Sequence, residues 1–290
     1  MVEFDYIAPE TMDEVLEIIS RLEGKASLLA GGTNLIPNLR NNKIKPELVV
    51  DISGLSDFSY IREDEEKIKI GVLTSITELT TSELLMKQAK ILKEASGQFA
   101  NPLVRNKATI GGNLADASPA ADTAVPLIAL GAKVKTIDSA YEMREIRIEE
   151  LFSAPNQTLL KEDEVITEIE FPLLASDTGN IKSAYEKLGL RNAMAISVVS
   201  VAIVAKLRDE RYIDEVKVAL GAVAPKPIRA QKVENVLKGE TLSQSLIEKS
   251  AEAVSDDINP ISDIRASADY RRMMSKVLLK RALNKIDRGG

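Results

Sequence analysis

Cysteine, histidine and tryptophan are all absent from this 290-residue chain. Without cysteine there is no disulfide, no thiolate nucleophile and no iron–sulfur cluster held in the usual cysteine mode. Without histidine the chain loses the commonest general base and the commonest metal ligand, which excludes a Ser-His-Asp triad and a histidine-based zinc site. Any redox chemistry must then come from a bound organic cofactor. The two residues most often used to link a flavin covalently are missing as well, so a flavin here would be held non-covalently. Basic charge is in deficit: 38 Lys and Arg stand against 44 Asp and Glu, a net charge of −6. That balance argues against nucleic acid or an anionic membrane as a main partner. Long hydrophobic runs are missing too. The longest mostly apolar stretch, Ala193 to Ala205, is shorter than the roughly 20 residues a membrane span needs. The opening Met1-Val2-Glu3-Phe4-Asp5 has no basic stretch leading into an apolar core, so no signal peptide is expected and a cytoplasmic location is the default.

The length suggests two domains, each with room for a core. A first helix is marked by Thr11 and Glu14 as a capping box, by an apolar face of Met12, Val15, Leu16, Ile19 and Leu22, and by Gly24 as its stop. A strand over 27–30 runs into a glycine turn, followed by a helical turn over 35–40 and a strand over 47–51. A second unit begins after the acidic turn at 63–66, with a strand over 67–73. Helical segments follow over 77–95, breaking near Lys90. A helix is predicted over 119–130, ended by Gly131, with strands over 132–137, 145–148 and 165–171, the last closed by Pro172. The stretch from Ala175 to Asn180 has the composition of a linker. Beyond it, three β-rich stretches (182–188, 196–207 and 213–222) precede a helical remainder from near Ile228. Strands followed by helices suggest an α+β domain.

Two short turns carry the chemical signal: Ala30-Gly31-Gly32-Thr33-Asn34 and Thr109-Ile110-Gly111-Gly112-Asn113. Backbone without Cβ atoms can turn sharply and present successive N–H groups to an anion. A lone Gly-Gly pair is ordinarily just a tight turn. No G-x-G-x-x-G and no G-x-x-x-x-G-K-[ST] accompanies either one, so the Rossmann and P-loop patterns fail on spacing. Two such turns suggest one dianionic group, such as a dinucleotide pyrophosphate, gripped from two sides. Asp122, near the start of the predicted 119–130 helix, reads equally well as a helix cap or as an acceptor for a ribose or ribityl hydroxyl.

The first turn, continued by Leu35-Ile36-Pro37, and the longer segment Arg105-Asn106-Lys107-Ala108-Thr109-Ile110-Gly111-Gly112-Asn113-Leu114, with Ala117-Ser118-Pro119-Ala120-Ala121-Asp122 beyond it, resemble the FAD-binding medium subunit of molybdenum hydroxylases. That family includes xanthine dehydrogenase and the aerobic carbon monoxide dehydrogenase. The resemblance covers nearly the whole chain, because Tyr270-Arg271-Arg272 and the Leu-rich helix after it match the family's C-terminal domain. It implies an α+β protein. A two-part α/β FAD-binding domain of the PCMH/vanillyl-alcohol-oxidase type would span 1–175, with subdomains about 1–58 and 59–175. A C-terminal domain of a three-stranded antiparallel sheet with helices would span 176–290.

By the same resemblance, Ala30, Gly31, Gly32, Thr33 and Asn34 would hold one side of the FAD pyrophosphate through backbone amides, and Ala108, Thr109, Gly112 and Asn113 the other. Asp122 would bind a sugar or ribityl hydroxyl, Phe99 would lie near the adenine, and the backbone of Ile166 would meet the flavin. Lys187 would sit near the cofactor. Without the resemblance, Phe99 reads as core and Lys187 as a solvated surface charge. Lys107 stands where the family usually has an apolar residue, and the absence of cysteine disfavours the branch whose medium subunit carries a four-iron cluster. No catalytic residue and no metal ligand is implied on this chain. The implied partners are a small subunit with two 2Fe-2S clusters and a large subunit with molybdopterin, where substrate choice resides; NAD or another acceptor would take the electrons. Two other readings stay open: a free-standing flavin oxidase of the same superfamily, and a non-catalytic nucleotide-binding or assembly module. The first would have to fit a substrate site into roughly one hundred C-terminal residues. The second sits poorly with intact glycines and Asp122.

Overall fold

The computed structural model of the chain describes residues 3–22, 24–174, 180–191, 194–208 and 210–288. The linker expected at 175–180 lies outside the described residues except for Asn180, which opens a strand.

The first unit is a three-stranded parallel sheet ordered β1-β3-β2, formed by β1 (Asp5–Ile7), β2 (Ala26–Leu29) and β3 (Leu48–Asp51), with α1 (Met12–Ser20) and α2 (Leu35–Arg40) as its connections. Three exposed residues at a sheet edge carry no alternation, which is why β1 was not legible in the sequence. Thr11 caps α1 by accepting the N–H of Glu14 at 3.2 Å. The Glu14 carboxylate does not return the bond to Thr11; it takes the N–H of Glu10 at 2.7 Å, so only half of the expected capping box forms. Val15, Leu16 and Ile19 of α1 are buried, as the 3.6-residue period requires.

The second unit holds an antiparallel five-stranded sheet. In chain order it runs β4 (Ile61–Asp64), β5 (Lys67–Gly71), α3 (Ile76–Thr81), α4 (Glu83–Gln88), α5 (Lys90–Gly97), α6 (Pro102–Arg105), α7 (Ile110–Ala115), α8 (Ala124–Leu130), β6 (Lys133–Asp138), β7 (Met143–Arg147), α9 (Ile148–Leu151), the ribbon β8 (Phe152–Ala154) and β9 (Gln157–Thr158), and β10 (Glu164–Pro172). The sheet order is β4-β5-β10-β6-β7. Two expectations change here. The second glycine turn is the first turn of the helix α7, and the helix expected from Pro119 starts only at Ala124. Residues before Ala124 are held by contacts to other elements: Thr123 donates both its N–H and its hydroxyl to Asn113 Oδ1, and the Asp122 carboxylate is bound from the C-terminal half. The helix ends where the sequence said, at Gly131 in the left-handed region (φ 73°).

The C-terminal half is an antiparallel sheet of β11 (Asn180–Gly189), β12 (Ser197–Arg208), β13 (Tyr212–Gly221) and the two-residue β14 (Ile228–Arg229), followed by α10 (Gln231–Leu237), α11 (Gln244–Ala253) and α12 (Ala268–Arg288). Three long strands match the expectation; β14 is a fourth, where a helix was expected to begin. Its two residues pair with Ala219 and Leu220, a register too short to leave a sequence pattern.

Strand β12 is buried on both faces. Val201, Ile203 and Ala205 join the C-terminal core, while Ala202 and Val204 join the core of the N-terminal half. Helix α12 covers one side of β11 and β12, and α8 packs against β12 and β13. All seven residues of α8 are buried. From Ser197 onward the mostly apolar run noted in the sequence is therefore a doubly covered strand. No helix among the described residues is long and apolar enough to cross a membrane.

Arg271 of α12 pins the end of this sheet. Its guanidinium donates to Val198 O at 2.7 Å, to Ala222 O at 2.8 Å and to Asp263 Oδ1 at 2.8 Å. Burial alone would raise the pKa of Asp263, but the N–H groups of Arg265 and Ala266 and the Arg271 guanidinium bring it down from 3.8 to about 2. A depressed carboxylate contributes stability above its unfolded value, and that contribution is lost as pH falls toward the folded one. Asp263→Asn should therefore flatten the fall in denaturant midpoint between about pH 4 and pH 2. An unchanged acid slope in the variant would show that this clamp does not set it.

Candidate functional site

The two glycine motifs meet in space. Gly31 lies so close to the segment leading into α7 that a Cβ on it would sit 1.7 Å from Lys107 O and 3.0 Å from Ala108 Cα. Gly32 follows in the left-handed region (φ 66°), a conformation glycine adopts without cost. Ala30 closes β2 and packs on the first core. Past this bend the chain presents five successive N–H groups, those of Gly31, Gly32, Thr33, Asn34 and Leu35, none of which meets an acceptor among the described residues. Gly31 and Gly32 are half-buried and Thr33 and Asn34 exposed, so these amides border solvent. Such a run of unpaired amides is an anion-binding concavity.

The second motif is built differently. A short bridge ties Ser75 to Thr109, with Ile76 N–H donating to Ala108 O at 2.8 Å and Ile110 N–H to Thr74 O at 3.0 Å. Thr109 then caps α7, its hydroxyl accepting Gly112 N–H at 3.1 Å. The N–H groups of Ala108 and Asn113 are taken by Val104 O (2.7 Å) and Thr109 O (3.0 Å). Of the four residues expected to form the second grip, Thr109 alone keeps an unpaired amide. A Cβ at Gly112 would meet only Thr109 Oγ1, at 2.9 Å, so its Cα otherwise faces open space. Asn113 spends its side-chain oxygen on Thr123. The side chains of the motif thus serve the fold, and the motif offers a ligand close backbone approach.

Asp122 and Lys187, expected from separate parts of the chain, form one buried ion pair. Lys187 Nζ donates to Asp122 Oδ2 at 2.7 Å, and the side chains are 6% and 9% exposed. Ser197 Oγ donates to the other carboxylate oxygen at 2.7 Å. Burial raises the pKa of Asp122, and the Lys187 charge with the hydrogen bonds from Lys187 and Ser197 opposes that rise. The Lys187 ammonium also reaches Gln98 O at 3.1 Å, next to Phe99. The same cluster contains Tyr185, whose phenol burial pushes well above its ordinary range. Lys187 is therefore not the solvated charge that its sequence context suggests. Asp122 is not the cap of α8; it is a cross-link between the two halves of the molecule.

Phe99 is half-buried against the first core. Ile166 is buried on β10, beside a register shift between Ile166 and Glu168 that takes the backbone off the ladder. It sits close to the second motif: Gly111 N–H donates to Val72 O at 2.9 Å, and Val72 N–H to Thr167 O at 3.2 Å. The structure thus gathers the first turn, the second motif and Ile166 on one side, and joins Asp122 to Lys187 and the Phe99 loop. Sequence reasoning passed over Ser197, Gln98 and Asp116. Their contacts span 75, 89 and 82 residues, and serine, glutamine and aspartate outside a motif carry no local signal.

This architecture is a known one. Residues 2–174 match the FAD binding domain in molybdopterin dehydrogenase, and residues 183–286 match the CO dehydrogenase flavoprotein C-terminal domain. The chain belongs to this family of flavoprotein subunits. It is 34% identical to the glyceraldehyde dehydrogenase medium chain of Sulfolobus acidocaldarius, over 98% of both chains. It is 30% identical to the xanthine dehydrogenase FAD-binding subunit of Escherichia coli O157:H7, over 90% of this chain and 88% of that one. The solved carbon monoxide dehydrogenase of Hydrogenophaga pseudoflava superposes with a TM-score of 0.92 at 31% identity, covering 97% of this chain and 96% of that one.

Removing one partner of a buried ion pair leaves an uncompensated charge, a loss of about 3–5 kcal/mol. Lys187→Met should lower the unfolding free energy by that amount in urea titration. Adding Asp122→Asn should restore most of it, and strictly additive losses would show that the pair is not coupled.

Proposed function

We propose that the chain binds FAD non-covalently and acts as the flavoprotein subunit of a molybdenum hydroxylase complex. The observation that carries this reading is the run of unpaired amides from Gly31 to Leu35, set by the Gly31 contact against the backbone of the second motif. A diphosphate supplies the acceptors those amides lack. On this reading Ala30, Gly31, Gly32, Thr33 and Asn34 shape and supply the first grip. The Thr109 amide and the open Cα of Gly112 admit the other side of the diphosphate, with Ala108 and Asn113 holding that backbone in place. Each Asp122 oxygen has a second lone pair beyond its bond to Lys187 or Ser197, enough to accept a sugar or ribityl hydroxyl. Phe99 flanks the adenine, and the off-ladder backbone at Ile166 borders the flavin. Lys187 orients Asp122 from the C-terminal half. Bound there, FAD supplies the redox chemistry that a chain without cysteine or histidine cannot perform itself.

No general acid or base is needed on this chain. Its partners on this reading are an iron–sulfur subunit with 2Fe-2S clusters and a molybdopterin subunit, as the family resemblance implies; that its relatives are named medium chain and FAD-binding subunit supports a place in a multi-subunit complex. The final acceptor is NAD or another oxidant.

The purified chain should be yellow and release one FAD on denaturation; a colourless protein that ignores added FAD would overturn the reading. Gly112→Val should lower FAD retention by about tenfold or more while circular dichroism stays native. Full FAD occupancy in that variant would remove the second motif from the site.

A further inference from the structure

We propose that Asp116 is a positioning residue for diphosphate binding: it holds Asn34 so that the amides from Gly31 to Leu35 stay open to the ligand. The inference rests on the FAD reading above and adds a residue that reading does not use.

Asn34 occupies the position before α2, where an asparagine ordinarily turns its side chain back onto the N–H of the second or third helical residue. Here neither backbone donor is open to it. Ile36 N–H already donates to Gly32 O at 3.1 Å, and Pro37 has no N–H. The Asn34 side chain makes no capping bond; its Nδ2 donates instead to Asp116 Oδ1, on the other motif. An exposed amide left without this partner could fold over the nest or swing into solvent, and the turn would lose its one side-chain hydrogen bond to the second motif among the described residues.

Asp116 is itself well fixed. Its N–H donates to Gly112 O at 3.0 Å at the end of α7. Its carbonyl accepts Asn156 Nδ2 at 3.0 Å, and Asn156 N–H donates to Ala117 O at 2.9 Å. The β8–β9 turn thus clamps Asp116, and Asp116 clamps Asn34. A half-buried carboxylate is otherwise poorly placed beside a dianion. Its survival there is explained by the bond it accepts, and burial, which raises its pKa against the pull of Asn34, acts in the same sense.

The test compares wild type, Asp116→Ala, Asp116→Asn and Asn34→Ala for binding of FAD, ADP and riboflavin by fluorescence titration of the apoprotein. Riboflavin lacks the diphosphate and serves as the control. Asp116→Ala should weaken FAD and ADP about tenfold, the effect of one charge-assisted hydrogen bond, and leave riboflavin unchanged. Asp116→Asn retains an acceptor oxygen for Asn34 Nδ2, so its FAD affinity should lie nearer wild type than that of Asp116→Ala. Asn34→Ala should repeat the Asp116→Ala pattern, and it carries the test if Asp116→Ala does not fold. Equal weakening of FAD and riboflavin, or an Asp116→Ala that binds FAD as wild type does, overturns this proposal alone. A wild-type apoprotein that binds no FAD overturns the FAD reading and this proposal with it.

Discussion

Helix α8 and strand β12 as far as Ala205 have no solvent face, and the joining of the two halves depends on that fact. Each residue of α8 is buried, and β12 divides its alternating side chains between two cores. Apolar surface on both sides of one strand can be removed from water only by covering it twice. Helix α12 covers one side and the N-terminal half, through α8, covers the other. The two halves are therefore joined by a continuous apolar layer, and charged groups trapped at its edge must find partners there.

The Asp122–Lys187 pair is such a group. It lies where β11 and the start of β12 meet the segment before α8 and the end of α5, and each charge is satisfied from more than one direction. A buried pair recovers little beyond its desolvation cost, so this one adds little net stability even though losing either partner is costly. The pair is one polar cross-link between the halves, and it ties Asp122 to the loop before Phe99. A cofactor held at the glycine motifs would thus be bordered by groups from both halves, even though the glycine motifs themselves belong to one.

Much of the fold was legible because it follows from period and punctuation. Val15, Leu16 and Ile19 recur at helical spacing, Gly131 stops α8, Pro172 closes β10, and the three long strands of the C-terminal sheet read directly. The misses share a cause. The three residues of β1 and the two of β14 are too short for any pattern. Gly-Gly in α7 looks like a turn because glycine weakens helices, yet a Cβ at Gly111 would lie 1.8 Å from Val72 Cγ2, so close packing on the end of β5 requires it there. The stretch from Pro119 to Thr123 has helical composition but is held out of a helix by Asn113, Lys187 and Ser197.

By itself the sequence bounded the class of chemistry: with no cysteine and no histidine any redox chemistry has to be borrowed, and two glycine motifs suggest a dianionic group gripped from two sides. Those conclusions depend only on which functional groups exist and on local backbone freedom, both of which are written residue by residue. Tertiary structure decided which amides are open and which are used internally. Among the described residues the run from Gly31 to Leu35 keeps five unpaired N–H groups, whereas the second motif spends those of Ile110 and Gly111 on Thr74 O and Val72 O and those of Gly112 and Asn113 on Thr109. It also decided that Asp122 faces Lys187 and that Asn34 faces Asp116. Hydrogen-bond and charge partners separated by 65 and 82 residues are selected by how the halves pack, and no local pattern encodes that.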